Sequence, residues 1–179
     1  IPDETIFETI KFSPKKLYDF IKMKAVLVSG TSIDFKIDKE LIVDSTPSYE
    51  KFYFKNGIAD YLDIKNKNSA KLFDKQFSIV NKINDTEKCE IFISFNQSEK
   101  SSLVSFCNTI ETPDGGSHEN GFKNGIIKAI KLYGQKNQVA KISNININDL
   151  TDYSDIVISI FINEPSFEGQ TKKRIIMPK

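Results

Sequence analysis

Near the C-terminus, Pro165-Ser166-Phe167-Glu168-Gly169-Gln170-Thr171-Lys172 sets a cation and an amide two residues apart in a segment opened by proline. In extended backbone, residues i and i+2 point the same way, so Gln170 and Lys172 can address one ligand together. An ammonium is a compact charge suited to a terminal phosphate oxygen, and a glutamine amide can donate beside it. By composition alone Lys172 is one more surface lysine of a Lys-rich tail.

His118 is the only histidine, placed after Gly115 and Gly116 where a helix begins. It has no nucleophile or metal ligand at suitable spacing, and the positive end of a helix dipole disfavours its protonation. A structural, hydrogen-bonded imidazole is expected. Asp114-Gly115-Gly116 has the strand-to-helix context of an anion-binding loop. Lys and Ser/Thr are not placed as a P-loop requires, however, and Glu119 would repel phosphate. Cys89 and Cys107 have no metal-ligand spacing, so no metal site is assigned, and a reduced intracellular setting is expected.

The longest amphipathic helix positions the central stretch. It begins at Ser117, an expected N-cap, and is expected to close at Gly134 as a left-handed cap. Phe122, Ile126, Ala129, Ile130 and Tyr133 form its apolar stripe, while Asn120, Asn124, Lys128, Lys131 and Gln135 lie opposite. Lys128 and Lys131 read first as a solvated face.

Earlier in the chain, residues 1–12 read as short and extended. Ser13-Pro14 starts a helix that runs to Gly30. Ile33, Phe35 and Ile37 alternate as a strand, and Asp38-Lys39 is expected to turn it back into a partner at 41–43. A polar break around Ser45, Pro47 and Ser48 precedes an aromatic strand at 51–55 and a short helix after Gly57. Residues 77–83, 89–95 and 103–109 read as strands. The last two are expected to form a hairpin centred near Ser98, with Cys89 opposite Cys107. Ile156 to Ile162 is apolar on both faces, the pattern of a central strand. The mixed order of strands and helices makes the fold class α+β.

The chain has 179 residues, 27% charged, with a formal net charge of +1. A whole-domain electrostatic grip on nucleic acid is not implied; DNA contact would need a local patch. No apolar run reaches the roughly 18 residues of a membrane helix, and Ile1-Pro2-Asp3-Glu4 is no signal peptide. The absent initiator Met points to a piece of something longer or a processed chain.

Two motifs resemble the B subunits of bacterial type IIA topoisomerases. Asn108, Ile110, Thr112, Gly115, Gly116, Ser117, His118, Gly121 and Phe122 match that family's Asn-x-Ile-x-Thr-x-x-Gly-Gly-Thr-His-x-x-Gly-Phe, with Ser117 for Thr. Pro165 to Lys172 matches its Pro-x-Phe-x-x-Gln-Thr-Lys. Asn56 stands where the family usually has the first Gly of Gly-Gly-Ile. Cys107-Asn108-Thr109-Ile110 and Pro113 look more like topoisomerase IV than gyrase.

The resemblance implies that residues 1–51 are the C-terminal end of a GHKL ATPase domain and 52–179 a transducer domain of ribosomal protein S5 domain 2-like fold. It implies that Gln170 and Lys172 reach the ATP γ-phosphate, Lys172 as the catalytic lysine. It also implies that Lys128 and Lys131 face transported DNA. The family's Asp-x-Gly-x-Gly, water-activating Glu and magnesium-holding Asn are expected upstream of Ile1. This stretch alone would therefore not hydrolyse ATP. The implied whole is a cytoplasmic, ATP- and Mg2+-dependent isomerase. It works as a B-subunit dimer with an A subunit on DNA, coupling ATP binding and hydrolysis to clamp closure and strand passage. The alternative is a non-catalytic RNA- or protein-binding module of S5-like fold.

Overall fold

A computed structural model of the chain describes residues 3, 5, 6, 11–97 and 101–177. Most of the expected extended segment 1–12 and the expected turn at Ser98 lie outside the described residues. The chain forms two compact units, Ile1–Tyr61 and Leu62–Lys179.

In the first unit, helix α1 (Pro14–Leu27) starts as its sequence dictates. Proline occupies the first turn, and the Ser13 side chain accepts from the Lys16 N–H. Its last turn buries Ala25, Val26 and Leu27, whereas Phe20 stays largely exposed. Strand β1 (Ser32–Lys36) does not pair with residues 41–43. Its antiparallel partner is β2 (Tyr49–Tyr53), with Phe35 opposite Glu50 and Ile33 opposite Phe52. Residues Lys39–Leu41 instead form a 3-10 turn capped by Asp38, and Leu41 and Val43 are exposed. The physical reason is aromatic packing. Tyr18 of α1 meets Phe35 and Phe52 edge-on at 5.4 and 5.1 Å, which 41–43 has no ring to provide. Its hydroxyl donates to Glu50 Oε2 at 2.6 Å; burial and this carboxylate push the phenol up to about 12.

Helix α2 (Ile58–Lys65) leads into the second unit. There, β3 (Phe77–Lys82), β4 (Lys88–Phe95), β5 (Ser102–Cys107), β6 (Ile110–Glu111) and β7 (Ser154–Phe161) make one sheet in the order β3-β4-β7-β5-β6. β7 runs parallel to β5 and antiparallel to β4, and residues 154–160 are all buried. The apolar run is therefore the central strand, as its pattern implies.

That placement overturns the expected β4–β5 hairpin, because β7 lies between those strands. Cys89 and Cys107 flank Ile160 from opposite sides. Two strand spacings separate the cysteines by roughly 10 Å, beyond disulfide reach. Both are thiols, and burial pushes Cys107 up to about 11.

Helix α3 (Ser117–Lys136) packs Phe122, Ile126 and Ile130 into a core with Ile91, Ile93, Cys107, Ile156, Ile158 and Ile160; Leu150 of α4 (Ile147–Thr151) joins it. Ala129 and Tyr133 are exposed rather than part of the stripe. The buried row advances by four residues, from Phe122 through Ile126 and Ile130 to Gly134. Gly134 does not end the helix: it is buried inside the last turns, where a β-carbon would lie 2.1 Å from Ile142 Cγ1. Among the described residues no helix is long and apolar enough to cross a membrane.

Candidate functional site

The site grows from the β5–β6 turn. Asn108 and Thr109 have φ of 48° and 65°, the paired left-handed conformation of a tight two-residue hairpin turn. The Asn108 side chain donates to the Ile162 carbonyl at 2.9 Å and accepts from the Ile162 N–H at 3.0 Å. It thereby fixes the chain just where it leaves β7 for the C-terminal loop.

That loop is a narrow hairpin. The Glu168 N–H donates to the Arg174 carbonyl at 2.9 Å, and the Ile176 N–H to the Ser166 carbonyl at 2.8 Å; Phe167 bridges Ile175 between them. Gly169, at φ 73°, opens the tip, and Lys172 itself is left-handed at φ 55°. Gln170 and Lys172 therefore sit on a turn and not on extended backbone, but both are exposed at the same tip. The Lys172 ammonium lies 5.8 Å from the centroid of the Phe167 ring, and no carboxylate among the described residues pairs with it.

The stem of this hairpin is spliced to the Gly-Gly turn. Ile175 is 1% exposed and belongs to the core. Its N–H donates to the Gly115 carbonyl at 3.1 Å, and its carbonyl accepts from the Ser117 N–H at 3.2 Å. The Asp114 N–H donates to the Lys173 carbonyl at 3.0 Å, and Arg174 Nη1 to the Asp114 carbonyl at 3.2 Å. Ser117 Oγ accepts from the Met177 N–H at 3.0 Å, so this hydroxyl serves the tail; the helix N-cap is Gly116, which has no side-chain bond to offer. The helix terminus is not an anion site. The tail's carbonyl takes its N–H, and Glu119 folds back over Gly115.

Beneath the splice, Thr112 Oγ1 donates to the Ser105 carbonyl at 3.0 Å and meets His118 Nε2 at 3.1 Å. Ser105 Oγ donates to Glu119 Oε1 at 2.7 Å, and Lys123 pairs with Glu119 at 3.2 Å. With the Thr112 proton given to the Ser105 carbonyl, His118 Nε2 is the donor in this pair. Burial holds His118 below its ordinary range, with Glu119 opposing, and Nδ1 is buried without a partner among the described residues. His118 is a structural histidine.

Lys128 is exposed and Lys131 half-buried on the outward side of α3, with Asn120, Asn124 and Gln135. They share the helix that receives the hairpin stem, but lie along it and not at the tip.

Sequence reasoning missed a second polar cluster. Asp155, 2% exposed, accepts from Lys65 Nζ at 2.6 Å, Ser102 Oγ at 2.5 Å and Asn96 Nδ2 at 2.9 Å. Burial alone would raise its carboxyl, but the bonds from Lys65 and Ser102 outweigh that and hold it below the usual carboxylate range. The available signal was a lone acid opening an otherwise apolar strand.

A model of the DNA gyrase B family matches residues 57–179. The chain is 36% identical over 178 residues to the B subunit of DNA topoisomerase 4 from Rickettsia felis, covering 98% of this chain and 27% of that one. It superposes on the topoisomerase IV ATP-binding domain of Francisella tularensis with a TM-score of 0.74 and 31% identity, over 98% of this chain and 45% of that one. The gyrase B protein of Myxococcus xanthus shares the fold, with a TM-score of 0.81 at 18% identity over 99% and 54% of the two chains. The chain thus spans about a quarter of the length of the curated relatives it matches. With one motif forming the seat and the other lying on the hairpin seated there, and the family pattern covering residues 57–179, the chain belongs to the DNA gyrase B family, the B subunits of bacterial type IIA topoisomerases.

Proposed function

We propose that this chain is the nucleotide-sensing and transducing part of an ATP-dependent type IIA topoisomerase B subunit. In this reading residues 1–51 close a GHKL ATPase domain and 52–179 form an S5 domain 2-like transducer. Compactness divides the chain a little later, after Tyr61. One observation carries the proposal: Gln170 and Lys172 are held together at the exposed tip of a hairpin whose stem is fixed in the core. An ammonium and an amide on one tip fit the oxygens of a terminal phosphate, and an anchored stem spares the ordering entropy of a loose tail.

ATP supplies the phosphoryl group that is cleaved. Lys172 donates charge-assisted bonds to its γ-phosphate, and Gln170 donates beside it. Such a contact is present with the triphosphate and lost with phosphate release, so it shifts the population between two conformational states. No group of three or more His, Cys, Asp or Glu able to hold a metal occurs among the described residues. By the family resemblance, magnesium is assigned to residues of the ATPase domain outside this stretch. The full-length protein, a dimer working with an A subunit, would use the switch to clamp DNA and pass one duplex through another, with Lys128 and Lys131 facing the passing segment.

The test is Lys172→Ala in the full-length protein. ATPase and strand passage should fall sharply while circular dichroism and melting stay unchanged. The lost charge-assisted bond is of order ~1.5–3 kcal/mol in nucleotide affinity, with a further loss in turnover. Wild-type ATPase would remove Lys172 from the nucleotide site.

A further inference from the structure

We propose that the splice between the hairpin stem and the first turn of α3 is a transmission element, with Gly116 and Ser117 as positioning residues that make α3 follow the Gln170–Lys172 tip. The proposal rests on the γ-phosphate reading above and adds the route by which the contact leaves the tip.

Three features of the splice set it apart from ordinary packing. It is made of backbone: the Ile175 N–H and carbonyl are both committed, to Gly115 and Ser117, so residue 175 cannot slide without breaking two bonds at once. It has no slack, since a β-carbon on Gly116 would lie 2.3 Å from the Ile175 oxygen and 2.7 Å from its nitrogen. Its last bond ties the Met177 N–H to a side chain on the first residue of α3 itself.

On the tip side, the strand from Arg174 to Ile176 bonds back to Ser166 and Glu168, which makes the hairpin a stiff ribbon. On the far side, the first turn of α3 is stiffened by the Ser105–Glu119 and Thr112–His118 contacts. A displacement of the tip therefore arrives at α3 as a displacement of its N-terminus. Lys128 and Lys131 ride on the same helix, roughly 16–21 Å further along at 1.5 Å per residue. Coupling of this kind needs a physical link with two discrete arrangements, and a non-hydrolysable ATP analogue is the probe that would draw out the second.

The experiment is amide hydrogen exchange on the full-length protein, with and without a non-hydrolysable ATP analogue, on wild type, Ser117→Ala, Ser117→Thr and Gly116→Ala. In wild type, residues 174–177 and the first turns of α3 should gain protection together, by about 5-fold or more. In Ser117→Ala and Gly116→Ala the analogue should still protect the hairpin but no longer α3. Ser117→Thr, which keeps the hydroxyl, should restore the joint response. DNA stimulation of the ATPase should be lost and regained in the same order. Protection of 174–177 without any change in α3 of the wild type would overturn the transmission role and leave the γ-phosphate contact standing. A wild-type hairpin indifferent to the analogue would overturn that contact instead. A joint response that persists in both Ser117→Ala and Gly116→Ala would show that α3 is moved by another route, and the proposal would fall.

Discussion

Gly116 lies against Ile175 so closely that a β-carbon on it would stand 2.3 Å from the Ile175 carbonyl oxygen, at a backbone φ of 139° that side chains rarely adopt. Residues 59 positions apart in sequence are thus in backbone contact, and each belongs to the neighbourhood of one family motif. In this chain the glycine pair is the seat on which the Gln-Thr-Lys hairpin rests.

Gly116→Ala should therefore destabilise the second unit by about 1–3 kcal/mol, from strain and the forced retreat of Ile175. Gly121, in the same helix with nothing within 4 Å of an added β-carbon, is the control. Gly121→Ala should stabilise by about 0.5–1 kcal/mol through helix propensity. Urea unfolding of the two variants reads both signs; equal effects would refute the close-approach argument.

Lys65→Met should cost about 2–4 kcal/mol, because it strands the buried Asp155 carboxylate; Lys65 keeps partial solvent access, so the loss falls below that of a fully buried pair. Asp155→Leu on top of Lys65→Met should recover part of it. The Asp155 carboxyl is held below its ordinary value of about 3.9, so its contribution is complete above that pH and drains away as pH falls beneath it. Acid unfolding of wild type against the double variant checks the sign.

His118 gives a second pH dependence at a higher window. Its folded value is lowered from an ordinary 6.5, so the unfolded chain takes up the proton first. Stability from this site is whole above 6.5 and declines as pH falls from there toward the folded value. Melting temperatures at pH 7.5 and 5.5 should drop further in wild type than in His118→Asn. Equal drops would mean that His118 is not held neutral.

Lys128→Gln with Lys131→Gln should change DNA-dependent behaviour and leave the fold intact, since both residues lie away from the Phe122, Ile126 and Ile130 side of α3. Each lost phosphate contact should lower the salt dependence of DNA binding by about one unit of slope. Unaltered DNA stimulation of the ATPase across a salt titration would reduce these lysines to a solvated face.

The amino-acid sequence by itself determined the local elements with strong periodicity: the buried strand through Ile156–Ile160, the helix from Ser117, the proline-started helix at Pro14. It also determined membership of the family, because Asn108 to Phe122 and Pro165 to Lys172 are spelled out residue by residue. These are properties of near neighbours, governed by side-chain period and turn chemistry.

Only the tertiary structure decided who lies beside whom. β7 enters between β4 and β5 and parts the two cysteines, and β1 chooses Tyr49–Tyr53 over 41–43 because aromatic rings wait there. Ser117 turns its hydroxyl to Met177 instead of its own helix, and Gly134 makes room for Ile142 instead of ending one. The choice falls to packing and to hydrogen-bond partners, which come from outside each local element.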